Sequence, residues 1–153
     1  MIEGRYVDPG GRFAIVASRF NDLLVKELVD GCLDVLRRHG IDGDRIDLVW
    51  VPGAFEVAPV CRRLAESGRH AAIVALGAVI RGATSHYDIV AGSVASGVAS
   101  VAADTGVPVI FGVLTTDTIE QAMERAGTKA GNNGWKAGLA AIEMASLYAA
   151  IGV

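Results

Sequence analysis

Cysteine is scarce in this sequence, and its placement argues against a scaffold of crosslinks or a metal knot. Cys32 and Cys61 fall in helical patterns, without CxxC spacing or a nearby histidine cluster, so both read as buried thiols in a cytoplasmic setting. A basic tract is lacking as well, and with a formal net charge of -3 the chain carries no electrostatic footprint for nucleic acid. No apolar run suits a membrane. The longest uncharged strand-like stretch covers residues 71–80, against the roughly 20 residues of a spanning helix. The opening MIEGRYVDPGG has neither the basic start nor the apolar centre of an export signal, and nothing in it suggests secretion. Internal repeats, low-complexity segments and linkers are missing too. The expectation is one domain, residues 1–153, around a single core.

What the chain has in abundance is apolar surface. Hydrophobic residues make up 52% of it and its mean hydropathy is +0.41, so with no membrane in view the surplus points to protein contact. The apolar pattern alternates between short runs and helical periods. Residues 12–18 (RFAIVAS) read as a strand, and residues 22–39 then repeat Leu24, Leu28, Cys32 and Leu36 every four positions, an amphipathic helix that Gly40 stops. Further strands are expected at 45–51, 71–80 and 107–114, and further helices at about 56–67, 87–103 and 133–150. Asp117 with Glu120 three positions on predicts a capping box for a short helix. Strands of nearly continuous Val, Ile, Leu and Ala, joined by helices, indicate an α/β fold with a four-stranded parallel sheet covered on both faces.

Ligands of such sheets bind beyond the carboxyl ends of the strands, which selects four segments: SRFN at 18–21, PGAFE at 52–56, RGATSH at 81–86 and LTTD at 114–117. Phe20 and Phe55, two of only four phenylalanines, stand just after strands, where each can stack on a flat heterocycle or pack under its own loop. Glu56 at a helix start can accept hydrogen bonds from hydroxyl groups or simply cap the helix. The small side chains of the 82–85 loop let backbone N–H groups approach an anion, although the loop has neither P-loop nor GxGxxG spacing. Arg125 can supply a charge-assisted phosphate contact, or neutralise the end of its helix. His86 suits proton transfer near neutrality, with a structural role as the bland alternative. No hydrolytic triad or metal-ligand spacing accompanies it.

The helix after His86 poses a different question. Residues 89–103, IVAGSVASGVASVAA, contain no charge and are crowded with Ala, Ser and Gly, so they cannot form an ordinary solvated face. Burial on several sides is expected, and one sheet covers only one side. A homo-oligomer with this helix at or near the subunit contact follows.

In that order, VASRFN (16–21), VPGAFEV (51–57), GAVIRGATSHYD (77–88), FGVLTTDTIEQAMERAGTKAGN (111–132) and AIEMASL (141–147) make the chain resemble the 6,7-dimethyl-8-ribityllumazine synthase family. The resemblance implies a flavodoxin-like three-layer sandwich, assembled as pentamers that in many members close into a hollow icosahedral shell of twelve. It implies riboflavin synthase as a partner, and small molecules as substrates. The implied reaction is a cofactor-independent condensation of 5-amino-6-(D-ribitylamino)uracil with 3,4-dihydroxy-2-butanone 4-phosphate, which gives the lumazine, phosphate and water. In that reading Phe20 stacks on the pyrimidine. Ala54, Phe55 and Glu56 hold the same substrate, with Glu56 on the ribityl hydroxyls, and Ala78, Val79 and Ile80 line its pocket. Phe111 comes from the adjacent subunit, Ala83 and Thr84 bind the phosphate with Arg125, and His86 moves protons.

Two departures stand out. Pro59 comes one position later than the family's usual proline, and Asn133 stands where the family commonly has a lysine. An alternative is therefore a family member that serves mainly as a self-assembling shell with weak or no activity. A flavodoxin-like binding module is a third reading, but neither a flavin phosphate loop nor a phospho-acceptor aspartate cluster is there to support it.

Overall fold

The computed structural model describes residues 1–83, 85–128 and 131–152. Four strands, β1 (Arg12–Ser18), β2 (Ile46–Val51), β3 (His70–Ile80) and β4 (Val109–Thr116), alternate with helices α1 (Asp22–Arg38), α2 (Val57–Glu66), α3 (His86–Thr105), α4 (Ile119–Arg125) and α5 (Asn133–Ile151). The strands pair in the order β2-β1-β3-β4, all parallel. This is a flavodoxin-like three-layer sandwich, as the resemblance implies, around the parallel sheet that the strand composition indicates.

Side chains alternate across a strand, and both faces of this sheet are apolar. Phe13, Ile15 and Ala17 of β1 and Ala72, Val74 and Leu76 of β3 join a core with α1 and α5. Their neighbours Ala14, Val16, Ile73 and Ala75 join a second core with α2 and α3. On the first face α1 and α5 come close enough for backbone to meet side chain. A Cβ on Gly134 would collide with the Leu28 backbone, and one on Gly138 would stand 2.5 Å from Val35 Cγ1. On the second face Val94, Val98 and Val101 form one buried stripe along α3. Gly97 admits Ala58 of α2, which a Cβ would approach to 2.6 Å.

The sheet's amino-terminal end is held by ions. Arg12 grips Asp47 with two hydrogen bonds, Nη2 to Oδ1 at 2.7 Å and Nε to Oδ2 at 3.2 Å, while His70 Nε2 lies 2.7 Å from Asp47 Oδ2. The Arg12 and His70 contacts hold the Asp47 carboxyl down at about 2. Arg45 forks onto both Asp8 oxygens at 2.7 Å.

Several boundaries shift from the sequence reading. The β4 strand runs from Val109 to Thr116, because its ladder with β3 ends on the pair Ile80 and Thr116. A 3-10 turn over Ala54–Glu56 delays α2 to Val57. Pro59 is thus the third residue of α2, where a helical N–H has no acceptor within the helix, so its displacement is harmless. The cap of α4 is Thr118, not Asp117. Its hydroxyl accepts from Gln121 N at 3.1 Å, and the Gln121 side chain accepts in return from the backbone N–H groups of Thr118 and Asp117. Asp117 is drawn away by Arg81, whose Nε donates to its carboxylate at 2.8 Å.

Burial of residues 89–103 on several sides is not reached within one chain. Apart from the valine stripe, α3 turns Gly92, Ser93, Ala95, Ser96, Ala99 and Ser100 outward. Among the described residues, no helix is long and apolar enough to cross a membrane.

Candidate functional site

The exits of β1, β2 and β3 and the first turn of α3 enclose a cleft of about 620 Å³. Each wall has a local cause. After β1, Arg19 N and Phe20 N donate to the carbonyls of Val51 and Pro52 at 2.8 and 3.2 Å. These bonds carry the chain over the β2 exit. Asn21 then turns it with a left-handed backbone, φ 63, and its side-chain amide donates to the Ala78 carbonyl at 3.1 Å. Asparagine tolerates this conformation better than most side chains do, and the turn leaves the Phe20 ring 70% exposed beside the cleft. Phe55 is 59% exposed. Neither side chain is buried under its loop, so each remains accessible for stacking.

Ala54, Phe55 and Glu56 line the cleft from the 3-10 turn, and Ala78, Val79 and Ile80 line it from the end of β3. The Glu56 side chain makes no capping bond to α2. Its carboxylate instead folds back over Gly53, where an added Cβ would stand 3.7 Å from it. His86, the first residue of α3, completes the wall. Beneath this edge Ser18 is fully buried and its hydroxyl has no hydrogen-bond partner among the described residues. Only a glycine fits opposite it, since a Cβ on Gly77 would come within 2.7 Å of that oxygen.

Eight of the expected residues, Phe20, Ala54, Phe55, Glu56, Ala78, Val79, Ile80 and His86, are thus brought together. Ala83 is exposed next to Gly82, a residue of the cleft wall, and Thr84 lies outside the described residues. Phe111 and Arg125 do not join them. Phe111 sits in the first half of β4 opposite Ala75 and is 41% exposed. Arg125 is exposed at the far end of α4. Asn133 opens α5, behind the cap that Asn132 provides by accepting from Trp135 N at 3.0 Å.

Pro52, Gly53 and Gly82 fall in strand-exit segments that the sequence reading selected, whereas it missed Tyr87, Ile89 and Val90; all six line the cleft. A helical signal for two of them was present, since Ile89 and Val90 follow His86 at the three- and four-residue spacing that shares a helix face. Arg81 was also left without a use. Its guanidinium donates to Asp117, lies 3.6 Å from Asp88 and stacks 4.3 Å over the Tyr87 ring. The hydrogen bond to Asp117 raises its pKa further above the ordinary value. No cluster of three His, Cys, Asp or Glu able to hold a metal occurs among the described residues.

A cleft at the carboxyl end of a parallel sheet, walled by two open aromatic rings, a carboxylate and a histidine, suits a flat heterocycle with a polar tail. Known proteins carry the same arrangement of sequence. The family model for 6,7-dimethyl-8-ribityllumazine synthase matches residues 10–149. A curated 6,7-dimethyl-8-ribityllumazine synthase of Synechococcus sp. (strain RCC307) is 55% identical over 156 aligned residues, which cover 99% of this chain and 98% of the relative. The match spans every element that builds the cleft, and the chain therefore belongs to the 6,7-dimethyl-8-ribityllumazine synthase family.

Proposed function

We propose that the chain condenses 5-amino-6-(D-ribitylamino)uracil with 3,4-dihydroxy-2-butanone 4-phosphate, forming 6,7-dimethyl-8-ribityllumazine and releasing phosphate and water, without a cofactor. The observation that carries this reading is the convergence of Phe20, Glu56, Ala78 to Ile80 and His86 on one cleft in a chain of this family. Phe20 stacks on the pyrimidine. The 54–56 turn holds the same substrate, with Glu56 accepting from the ribityl hydroxyls. Ala83 and Thr84 bind the phosphate of the butanone together with Arg125. His86 moves protons during imine formation, phosphate loss and ring closure. Holding two substrates side by side supplies much of the acceleration, so Asn133 in place of the family's lysine lowers the rate without abolishing it.

Phe111 and Arg125 serve a neighbouring copy's cleft in this reading. Arg125 stands at the last position of the seven-residue α4 and is not among the residues that line the cleft of its own chain. The assembly is a homo-oligomer, a pentamer that can close in twelves as a shell. Support comes from the outward Ala, Ser and Gly of α3 and from the exposed rings of Phe20, Phe55 and Phe111, apolar surface of the kind that marks a protein contact.

Mixing the purified protein with both substrates tests the reading. Lumazine fluorescence should rise together with free phosphate, in equal amounts. If neither signal exceeds the protein-free mixture, the chain does not perform this reaction.

A further inference from the structure

Arg81 leaves β3 at the rim of the cleft, and its main chain is fixed there by a bond from its N–H to the Thr116 carbonyl at 2.8 Å. Its side chain reaches two other segments. Nε donates to Asp117 Oδ1 at 2.8 Å, in the turn between β4 and α4, and Nη1 lies 3.6 Å from Asp88 Oδ1, in the first turn of α3. The guanidinium also covers the ring of Tyr87, a cleft residue.

A lone surface ion pair contributes little, yet several charges acting on one planar guanidinium form a network. The sign of the charge then decides what the network does. One cation facing two carboxylates leaves the cluster with a net charge of about -1 at neutral pH, so it does not attract a phosphate. Its members do bracket the residues that do the work. Gly82 and Ala83 follow Arg81 directly, and His86 and Tyr87 open the helix that Asp88 belongs to.

We infer that Arg81 is a positioning residue: its bridge to Asp117 and Asp88 fixes the segment bearing Ala83 and His86 against the turn after β4, so that phosphate contact and proton transfer occur at one place. The inference rests on the proposed synthase reaction, and the tie itself can be tested without it.

The experiment is a double-mutant cycle on the full-length protein with Arg81→Gln, Asp117→Asn and the pair together, read by hydrogen exchange and by steady-state kinetics. Exchange comes first because it needs no turnover. Peptides spanning residues 82–90 should exchange faster in Asp117→Asn than in the native protein, although the substitution lies on another element. Unchanged exchange there would overturn the tie. In kinetics, each single variant should lower kcat/KM for the phosphate-bearing substrate about three- to tenfold, with KM for the pyrimidine unchanged. The double variant should be no worse than either single one, because all three break the same contact. A direct phosphate ligand behaves differently, with Arg81→Gln costing far more than Asp117→Asn and the two effects adding. That result would also overturn the proposal, as would equal losses for both substrates. A native protein that makes no lumazine would defeat the synthase reading alone, and the exchange data would still decide whether Arg81 holds the segment.

Discussion

On the face covered by α1 and α5, the sheet meets Phe13, Ile15, Leu28, Leu36, Leu76 and Ile142, all fully buried, and the two helices close on each other at Gly134 and Gly138. On the face covered by α2 and α3, the buried side chains are mainly Val and Ala, the outer side of α3 over residues 92–100 is small and uncharged, and the cleft opens at the strand exits. The first face is complete within one chain. The second leaves apolar surface uncovered and gathers the reactive groups beside it. Stability and function are thus divided between the faces, and substitutions on them should fail in different ways.

The largest effect is expected on the closed face. Gly134→Ala drives a methyl group into the Leu28 backbone, and backbone cannot swing aside as a flexible side chain can. A loss of about 3 kcal/mol or more should appear as a lower urea midpoint, a large part of a domain's net stability. An unchanged midpoint would show that the two helices are not held together as tightly as the geometry indicates. On the open face Ala99→Glu should do the reverse. Residue 99 is exposed on the single chain, so folding survives, whereas a carboxylate buried between copies costs about 3 kcal/mol. Light scattering should find smaller particles than for the native protein. A native chain that is monomeric at micromolar concentration would refute the shared contact.

His86→Ala sharpens the contrast at the cleft. It should slow turnover by about a hundredfold while the urea midpoint and particle size stay where they were. Equal rates would remove His86 from the chemistry. The smallest effect belongs to neither face but to the opposite end of the sheet. Asp47 is held at about 2 when folded, below its ordinary 3.8, so its contribution is present above about pH 4 and lost as pH falls through about 2. With its side chain about a third exposed, at 34%, screening leaves roughly 1 kcal/mol. Between pH 4 and pH 2 the native urea midpoint should fall more steeply than that of Asp47→Asn.

Local signals in the sequence were enough to find most elements, and non-local ones set their edges. The β1 strand runs over residues 12–18, as RFAIVAS indicates, because its ends are marked by charge and loop chemistry next to it. The end of β4 was not legible, since Thr115 and Thr116 extend the strand only by pairing with Val79 and Ile80 of β3. Asp117 illustrates the same limit. As a lone acid before a helix it predicts a cap, yet Arg81, far away in the chain, claims its carboxylate and Thr118 takes the role. In the cleft, strand-exit logic found the loops and the aromatic rings. It could not supply the α3 residues Tyr87, Ile89 and Val90, whose place depends on how that helix lies across β3.

Each face of the sheet also carries its own clock. Cys32 belongs to α1 and Cys61 to α2, one per core, and burial pushes both thiols up to about 12. In the folded chain almost no thiolate exists near neutral pH, so an alkylating reagent must wait for the layer above each cysteine to open. If the protein opens only as a whole, the two sites are labelled at one rate. If the α2 and α3 layer loosens by itself, Cys61 is labelled first, and the difference between the two rates measures how independently the working half of the molecule moves.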